Sequence, residues 1–137
     1  MSKKGEKCRM EQCRLTITTV VNGEESSILR VGKMKLMPLS AELSYKEENA
    51  NIHLKVENNC AWIERQGDYT LFLPLKEQEL RQGTIGIMGS EGEVGVFAHK
   101  ISYSIGKNSL MLSLHYDLLF GDEKQEMKLR ILSRCNG

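Results

Sequence analysis

Apolar and polar side chains alternate with a period of two along most of this chain, most plainly near its C-terminal end. Leu110, Leu112, Leu114, Tyr116, Leu118 and Phe120 share one phase; Met111, Ser113, His115, Asp117 and Leu119 share the other. Such a period predicts a strand with one face buried, because a helix repeats on a longer one. Turn residues bound the run, Gly106-Lys107-Asn108-Ser109 before it and Gly121-Asp122-Glu123-Lys124 after. Met127, Leu129 and Ile131 then alternate with Glu126, Lys128 and Arg130, as a returning strand does.

The rest of the chain repeats this grammar. Leu15, Ile17, Thr19 and Val21 share a face, and Asn22-Gly23 is a strong hairpin signal because both residues tolerate positive φ. On the way back Ser27, Leu29 and Val31 lie in one phase and Ile28 and Arg30 in the other. Gly32 bends the strand, and Met34 and Leu36 resume it. Pro38 ends the ladder, having no N–H to give. Ala41, Leu43, Tyr45 and Glu47 form the next face. Glu48-Asn49-Ala50-Asn51 turns the chain into Ile52, Leu54 and Val56, and Asn58-Asn59 turns it again. Ala61, Ile63 and Arg65 follow, with Trp62 and Glu64 opposite. Gly67-Asp68 predicts a two-residue type II′ turn, and Tyr69, Leu71 and Leu73 run up to Pro74.

Lys76 to Gln82 holds helix formers for only about two turns, so a short helix and a loop both stay open. Thr84 to Met88 predicts a strand, broken at Gly89-Ser90-Glu91-Gly92. Phe97, His99, Ile101, Tyr103 and Ile105 then alternate into the C-terminal meander.

No stretch predicts a long helix. Roughly eight to ten strands joined by short turns predict an all-β fold, a sandwich or a barrel. Sequential connections favour an antiparallel up-and-down meander, and closing it removes the exposed edges. A barrel of about eight strands has an interior that holds packed side chains or one small ligand.

With 137 residues the chain makes one domain with a real core. Residues 14–134 are assigned to the barrel and residues 1–13 to a flexible basic tail, with Lys3, Lys4, Lys7 and Arg9 against Glu6 and Glu11. That tail is a solvated arm or a weak electrostatic contact for a partner. A hydrophobic content of 40% with 27% charged residues argues a soluble globular protein. The net charge is +1, and the 6% of aromatics form no basic–aromatic strand face. No nucleic acid or membrane partner is therefore expected. The first residues are polar and lack the apolar core of a signal peptide, and no run is long enough for a membrane span. The expected compartment is the cytoplasm. Four cysteines fit it as free thiols rather than a disulfide framework. Cys8 and Cys13 have metal-ligand spacing, but no second close pair completes a site, so no metal and no cofactor are expected.

Three short motifs in order carry a family resemblance: Leu43-Ser44-Tyr45-Lys46-Glu47-Glu48, Arg65-Gln66-Gly67, and Tyr116-Asp117-Leu118 followed by Gly121-Asp122-Glu123. In order and spacing, from roughly Leu15 to Leu132, the chain resembles the YwiB-like family, small bacterial proteins of unknown function with a calycin-like (lipocalin-like) β-barrel. The resemblance implies the barrel and a cytoplasmic bacterial setting, and no reaction. Two departures stand out. Family members often carry an aromatic shortly after the position of Gly32, where this chain has Lys33-Met34, and often Thr near the position of Ala98. Where those positions shape a cavity, its ligand here differs.

The candidate site comes from polar residues that fall in phase with apolar faces: Tyr45, Glu47, Arg65, His99, Tyr103 and Tyr116. A buried arginine needs a carboxylate, and Glu47 is the natural partner for Arg65 if both face the lumen. An arginine, a carboxylate, tyrosines and a histidine around an apolar cup suit a small ligand, partly apolar or anionic. The plainer reading is a structural Arg65–Glu47 pair near a barrel end, tyrosine hydroxyls at the rim, and His99 as a lining or rim residue.

No serine sits in a nucleophile elbow. Gly83-Thr84-Ile85-Gly86 is followed by strand rather than the helix a phosphate loop needs, and His53 and His115 lie in polar phases. The chain is not expected to be an enzyme. Two functions remain. One is binding of a small ligand inside the barrel. The other is a protein-interaction or regulatory module whose lumen is filled by Phe72, Phe97, Phe120, Tyr116 and Leu114, with Trp62 a candidate contact for a protein partner.

Overall fold

Asn22 and Gly23 take positive φ, 49° and 89°, and fold strand β1 (Glu11–Val21) back onto β2 (Glu24–Leu36). The same operation recurs along the chain in this computed structural model, which describes residues 10–135. It yields β3 (Ser40–Glu47), β4 (Ala50–Glu57), β5 (Cys60–Gly67), β6 (Tyr69–Lys76), β7 (Leu80–Ile87), β8 (Ser90–Ile105), β9 (Ser109–Phe120) and β10 (Glu123–Cys135). Each strand pairs antiparallel with its sequence neighbours, and β1 pairs with β10, so the sheet is a closed barrel. The expected up-and-down barrel is what forms, at the upper end of the expected strand count.

An antiparallel meander sorts its turns to two ends. Asn22-Gly23, Glu48-Asn49, Asp68, Met88-Gly89 and Gly121-Asp122 gather at one, here the open end. The remaining turns and both described chain ends gather at the other, the closed end. Between them the inward side chains pack against one another. Leu15, Ile17, Leu43, Leu54, Leu73, Leu112, Leu114 and Ile131 are all fully buried. Removing such side chains from water stabilises the fold by about 1.5–3 kcal/mol each before ordering costs are set against it.

The alternation of β8 does not run unbroken. Val94, Val96 and Ala98 are buried ahead of His99, and Ile101 after it, because a bulge between Ala98 and Lys100 inserts one residue. His99 and Phe97 therefore face outward, against the expectation that they continue the face of Ile101. A bulge leaves backbone groups unpaired, and the β6–β7 turn supplies partners. The Gln78 N–H donates to the Ala98 carbonyl (2.7 Å), Gln78 Nε2 donates to the His99 carbonyl (2.9 Å), and the Ile101 N–H donates to Glu77 Oε2 (2.9 Å). Lys76 to Gln82 is thus not a helix: Lys76 ends β6, Glu77 to Glu79 turn tightly with Gln78 at φ 64°, and Leu80 to Gln82 begin β7.

Other boundaries move for local reasons. Gly67 has no positive φ, so no type II′ turn forms there. A Cβ on it would overlap the Asn49 carbonyl and lie 2.7 Å from the Ala50 Cα, so close approach to the β3–β4 turn demands the glycine. Strand β6 continues through Pro74 to Lys76. It meets β7 only over Tyr69–Phe72, so the missing N–H of Pro74 falls beyond that ladder. The break placed at residues 89–92 is narrower, a Met88-Gly89 turn, with Ser90 already in β8. Glu11, Gln12 and Cys13, read as tail, belong to β1, and Cys13 is buried. The rest of that tail, residues 1–9 with Cys8, lies outside the described residues. Among the described residues no helix is long and apolar enough to cross a membrane.

Candidate functional site

The closed end is laced shut. The Tyr103 hydroxyl donates to the Leu39 carbonyl (2.7 Å) and accepts from the Asn58 N–H (2.9 Å), tying the β2–β3 turn to the β4–β5 turn. The Cys135 N–H donates to the Asn108 carbonyl (2.8 Å) and closes the last gap there.

The open end differs. Its inward positions carry apolar side chains that water still reaches: Tyr69 is 36% exposed, Phe120 39% and Ile87 51%. Val21, Ile28, Leu71, Ile85 and Met127 around them are only half-buried. These inward-phase residues make the mouth of the barrel, the cup, apolar and open to water above the packed middle.

Two phenols stand at the floor of the cup. Tyr45 on β3 is 6% exposed and Tyr116 on β9 is 4% exposed. Burial pushes both far above the ordinary phenol range, and for Tyr45 the nearby charge of Glu47 adds to the push while Arg30 opposes it. Among the described residues neither hydroxyl makes a hydrogen bond, yet neither is cut off from water: the one buried polar side-chain atom without a partner there is Ser133 Oγ. Gly32 lets β2 sit against Tyr45. The two residues are register partners, and a Cβ on Gly32 would lie 2.9 Å from both the Tyr45 Cβ and the Leu15 Cδ1.

Charges ring the cup. Glu47 lies two residues beyond Tyr45, and the charge of Arg30 on β2 acts on the same phenol. Arg30 Nη1 donates to the neighbouring Leu29 carbonyl (2.9 Å), and the residue forms no ion pair among the described residues. Arg30 was not among the candidates from sequence. Its phase, shared with the buried Met34, was the available signal.

Arg65 has other business. Its Nη1 donates to the Tyr69 carbonyl (2.7 Å), its Nη2 meets Asp68 Oδ1 at 2.9 Å, and its guanidinium lies 3.7 Å from the Tyr69 ring centroid. The hydrogen bond from Arg65 holds the Asp68 carboxyl below its usual range. The expected Arg65–Glu47 pair is replaced by a clasp on the β5–β6 turn, because Asp68 sits within reach on the same hairpin.

Tyr45, Glu47, Arg65 and Tyr116 thus come together at the open end, while Tyr103 serves the closed end and His99 lies on the outer wall. There His99 Nε2 meets Asp117 Oδ2 at 2.8 Å, and His115 Nε2 meets Glu126 Oε2 at 2.8 Å. The two imidazoles lie 4.6 Å apart and the Phe97 ring meets His99 edge-on. Of the residues read as lumen filling, Leu114 and Tyr116 are inside, Phe120 is at the open rim, and Phe72 and Phe97 are outside. Trp62 is half-buried on the outer wall with the Lys55 ammonium 5.7 Å from its ring centroid.

This architecture is shared. The chain superposes on the crystal structure of the ywiB protein from Bacillus subtilis with a TM-score of 0.81 at 15% identity, over 98% of this chain and 99% of that one. Identity that low carries the fold and nothing further. No curated protein matches the sequence. A family model described as a domain of unknown function, DUF1934, matches residues 12–131. Ten strands closed in sequence order, a solved neighbour covered end to end and a model matched over nearly the whole barrel place the chain in one family: it belongs to DUF1934.

Proposed function

We propose that the barrel binds a small, partly apolar ligand at its open end, with an anionic or hydrogen-bonding group directed to the floor of the cup. The observation that carries this reading is the pair of nearly buried phenols, Tyr45 and Tyr116, without a hydrogen-bond partner among the described residues. Each hydroxyl, without a protein partner, is open to a ligand acceptor that takes the place of water. Arg30 supplies the cation for an anionic group, and the half-buried wall supplies apolar contact.

Binding without chemistry is favoured because the two groups that acid–base work would use stand apart. Glu47 is at the open end and His99 on the outer wall. The meander and the closed lower half support the calycin-like reading. A cytoplasmic bacterial setting accords with free thiols at Cys13, Cys60 and Cys135 and with the bacterial source of the solved neighbour. The second reading, an interaction module, draws on the fully packed middle of the lumen, which confines any ligand to the mouth.

The test is a fluorescence titration with anilinonaphthalene sulfonate, which joins apolar rings to an anion. Saturable binding that weakens about tenfold in Arg30→Ala and in the Tyr45→Phe, Tyr116→Phe double variant supports the reading. Absence of saturable binding, or binding that ignores all three substitutions, contradicts it.

A further inference from the structure

The seam between β1 and β10 is unlike the others. Every other pair of neighbouring strands is joined by a short connection, whereas these two meet across almost the whole described chain. Where the seam reaches the closed end, Cys13 lies directly opposite Cys135. Both are free and buried, on the inward face that Leu15 and Ile131 continue.

The register makes the two cysteines a non-hydrogen-bonded pair, the kind in which side chains approach most closely. The Cys135 N–H donates to the Asn108 carbonyl (2.8 Å) on the β9 side, so its backbone groups point away from β1. At the far end of the same ladder the Asn22 N–H donates to the Glu126 carbonyl (2.9 Å), and alternation from that bonded pair gives the same result at Cys13. Opposed Cα atoms in such a pair stand about 4.5 Å apart, inside the range of about 4.4–6.8 Å that a disulfide spans. Cys60 has no such neighbour, since Glu57 and Lys76 lie opposite it.

A third group stands beside the pair. Ser133, two residues before Cys135 on the same inward face, is buried, and its Oγ has no hydrogen-bond partner among the described residues. That hydroxyl can donate to an oxygen arriving at either sulfur. Burial pushes the Cys13 thiol up, and Ser133 opposes the push; burial also pushes Cys135 up, with the Cys13 charge adding to it. Thiolate is therefore scarce at neutral pH, and the reaction quickens as pH rises.

We propose that Cys13 and Cys135 are a pair oxidised by hydrogen peroxide, whose disulfide fastens the β1–β10 seam and locks the barrel closed. Cys135, 8% exposed against 2% for Cys13, meets the oxidant first. Its thiolate attacks one peroxide oxygen: an S–O bond forms, the O–O bond breaks, hydroxide leaves, and a sulfenic acid remains. The Cys13 thiol then attacks that sulfur: the S–S bond forms, the S–O bond breaks, and water leaves. The two thiols lose two electrons and two protons, and the peroxide is reduced to water. The inference does not depend on the ligand reading.

The test treats the reduced full chain with hydrogen peroxide, maps its peptides without reductant by mass spectrometry, and measures melting by circular dichroism. One linked pair of peptides is expected, joining Cys13 to Cys135, and it forms faster at alkaline pH. The melting temperature is expected to rise by about 10 °C, because the bond closes a long loop, and dithiothreitol should reverse the rise. Cys13→Ser and Cys135→Ala should each abolish the rise, and Cys60→Ser should keep it. A linkage through Cys8 or Cys60, sulfinic acid at either cysteine with no linked peptide, or a link that leaves the melting temperature unchanged overturns the proposal.

Discussion

His99 Nε2 and Asp117 Oδ2 meet at 2.8 Å on the outer wall of the barrel. The bulge after Ala98 turns the imidazole away from the lumen, and the ring in turn covers a carboxylate that is only 7% exposed. Removing the ring takes away that hydrogen bond to the carboxylate and the cover over it. His99→Ala is expected to cost about 1–3 kcal/mol in urea denaturation while leaving dye binding at the open end unchanged. A ligand-contacting His99 would give the reverse.

Tyr103 acts through its hydroxyl alone, joining two turns that are far apart in sequence. Tyr103→Phe keeps the ring and removes both hydrogen bonds. The expected loss is about 1–3 kcal/mol, with faster hydrogen exchange at the Asn58 amide as the local sign that the closed end has loosened.

Gly32 has no room for a methyl group. A Cβ there overlaps the Ser44 carbonyl and crowds Leu15 and Tyr45, and backbone cannot step aside as a flexible side chain can. Gly32→Ala is expected to destabilise by about 1–3 kcal/mol. Gly92→Ala serves as the control, since its Cβ meets only Ile85 Cγ2 at 3.9 Å and the melting temperature should scarcely move.

Alkaline pH should find the phenols of the cup. Burial raises Tyr45 and Tyr116 above the ordinary value, near about 10, that they have in the unfolded chain. Below that value both states are protonated and the contribution of these groups is fully present. Above it the unfolded chain releases protons that the folded barrel retains, so stability falls as pH rises. Denaturation midpoints from neutral pH up to about pH 11 should decline less steeply in the Tyr45→Phe, Tyr116→Phe double variant.

Period-two patterning was enough to read the barrel because nine sequential hairpins leave little topological choice once every strand has one apolar face. Asn22-Gly23 was legible because its chemistry is local. What patterning misplaced depends on contacts distant in sequence. The bulge at His99 exists because Glu77 and Gln78 cross to satisfy it, and no alternation rule in β8 announces that. The need for glycine at position 67 arises from the β3–β4 turn, not from its own φ. Tyr45 and Tyr116 were legible as inward tyrosines, but nothing in their spacing said that one lacks a partner while Tyr103 has two. Arg65 was drawn to Glu47 by charge alone, whereas Asp68 on the same hairpin is nearer.

The central claim is that the open end holds a small ligand, and native mass spectrometry of gently purified protein tests it most directly. The account predicts an excess of a few hundred daltons per chain that vanishes on denaturation, and whose retention falls in the Tyr45→Phe, Tyr116→Phe double variant. A native mass equal to the bare chain or a whole multiple of it, from cell extract purified without detergent or organic solvent, would contradict the claim.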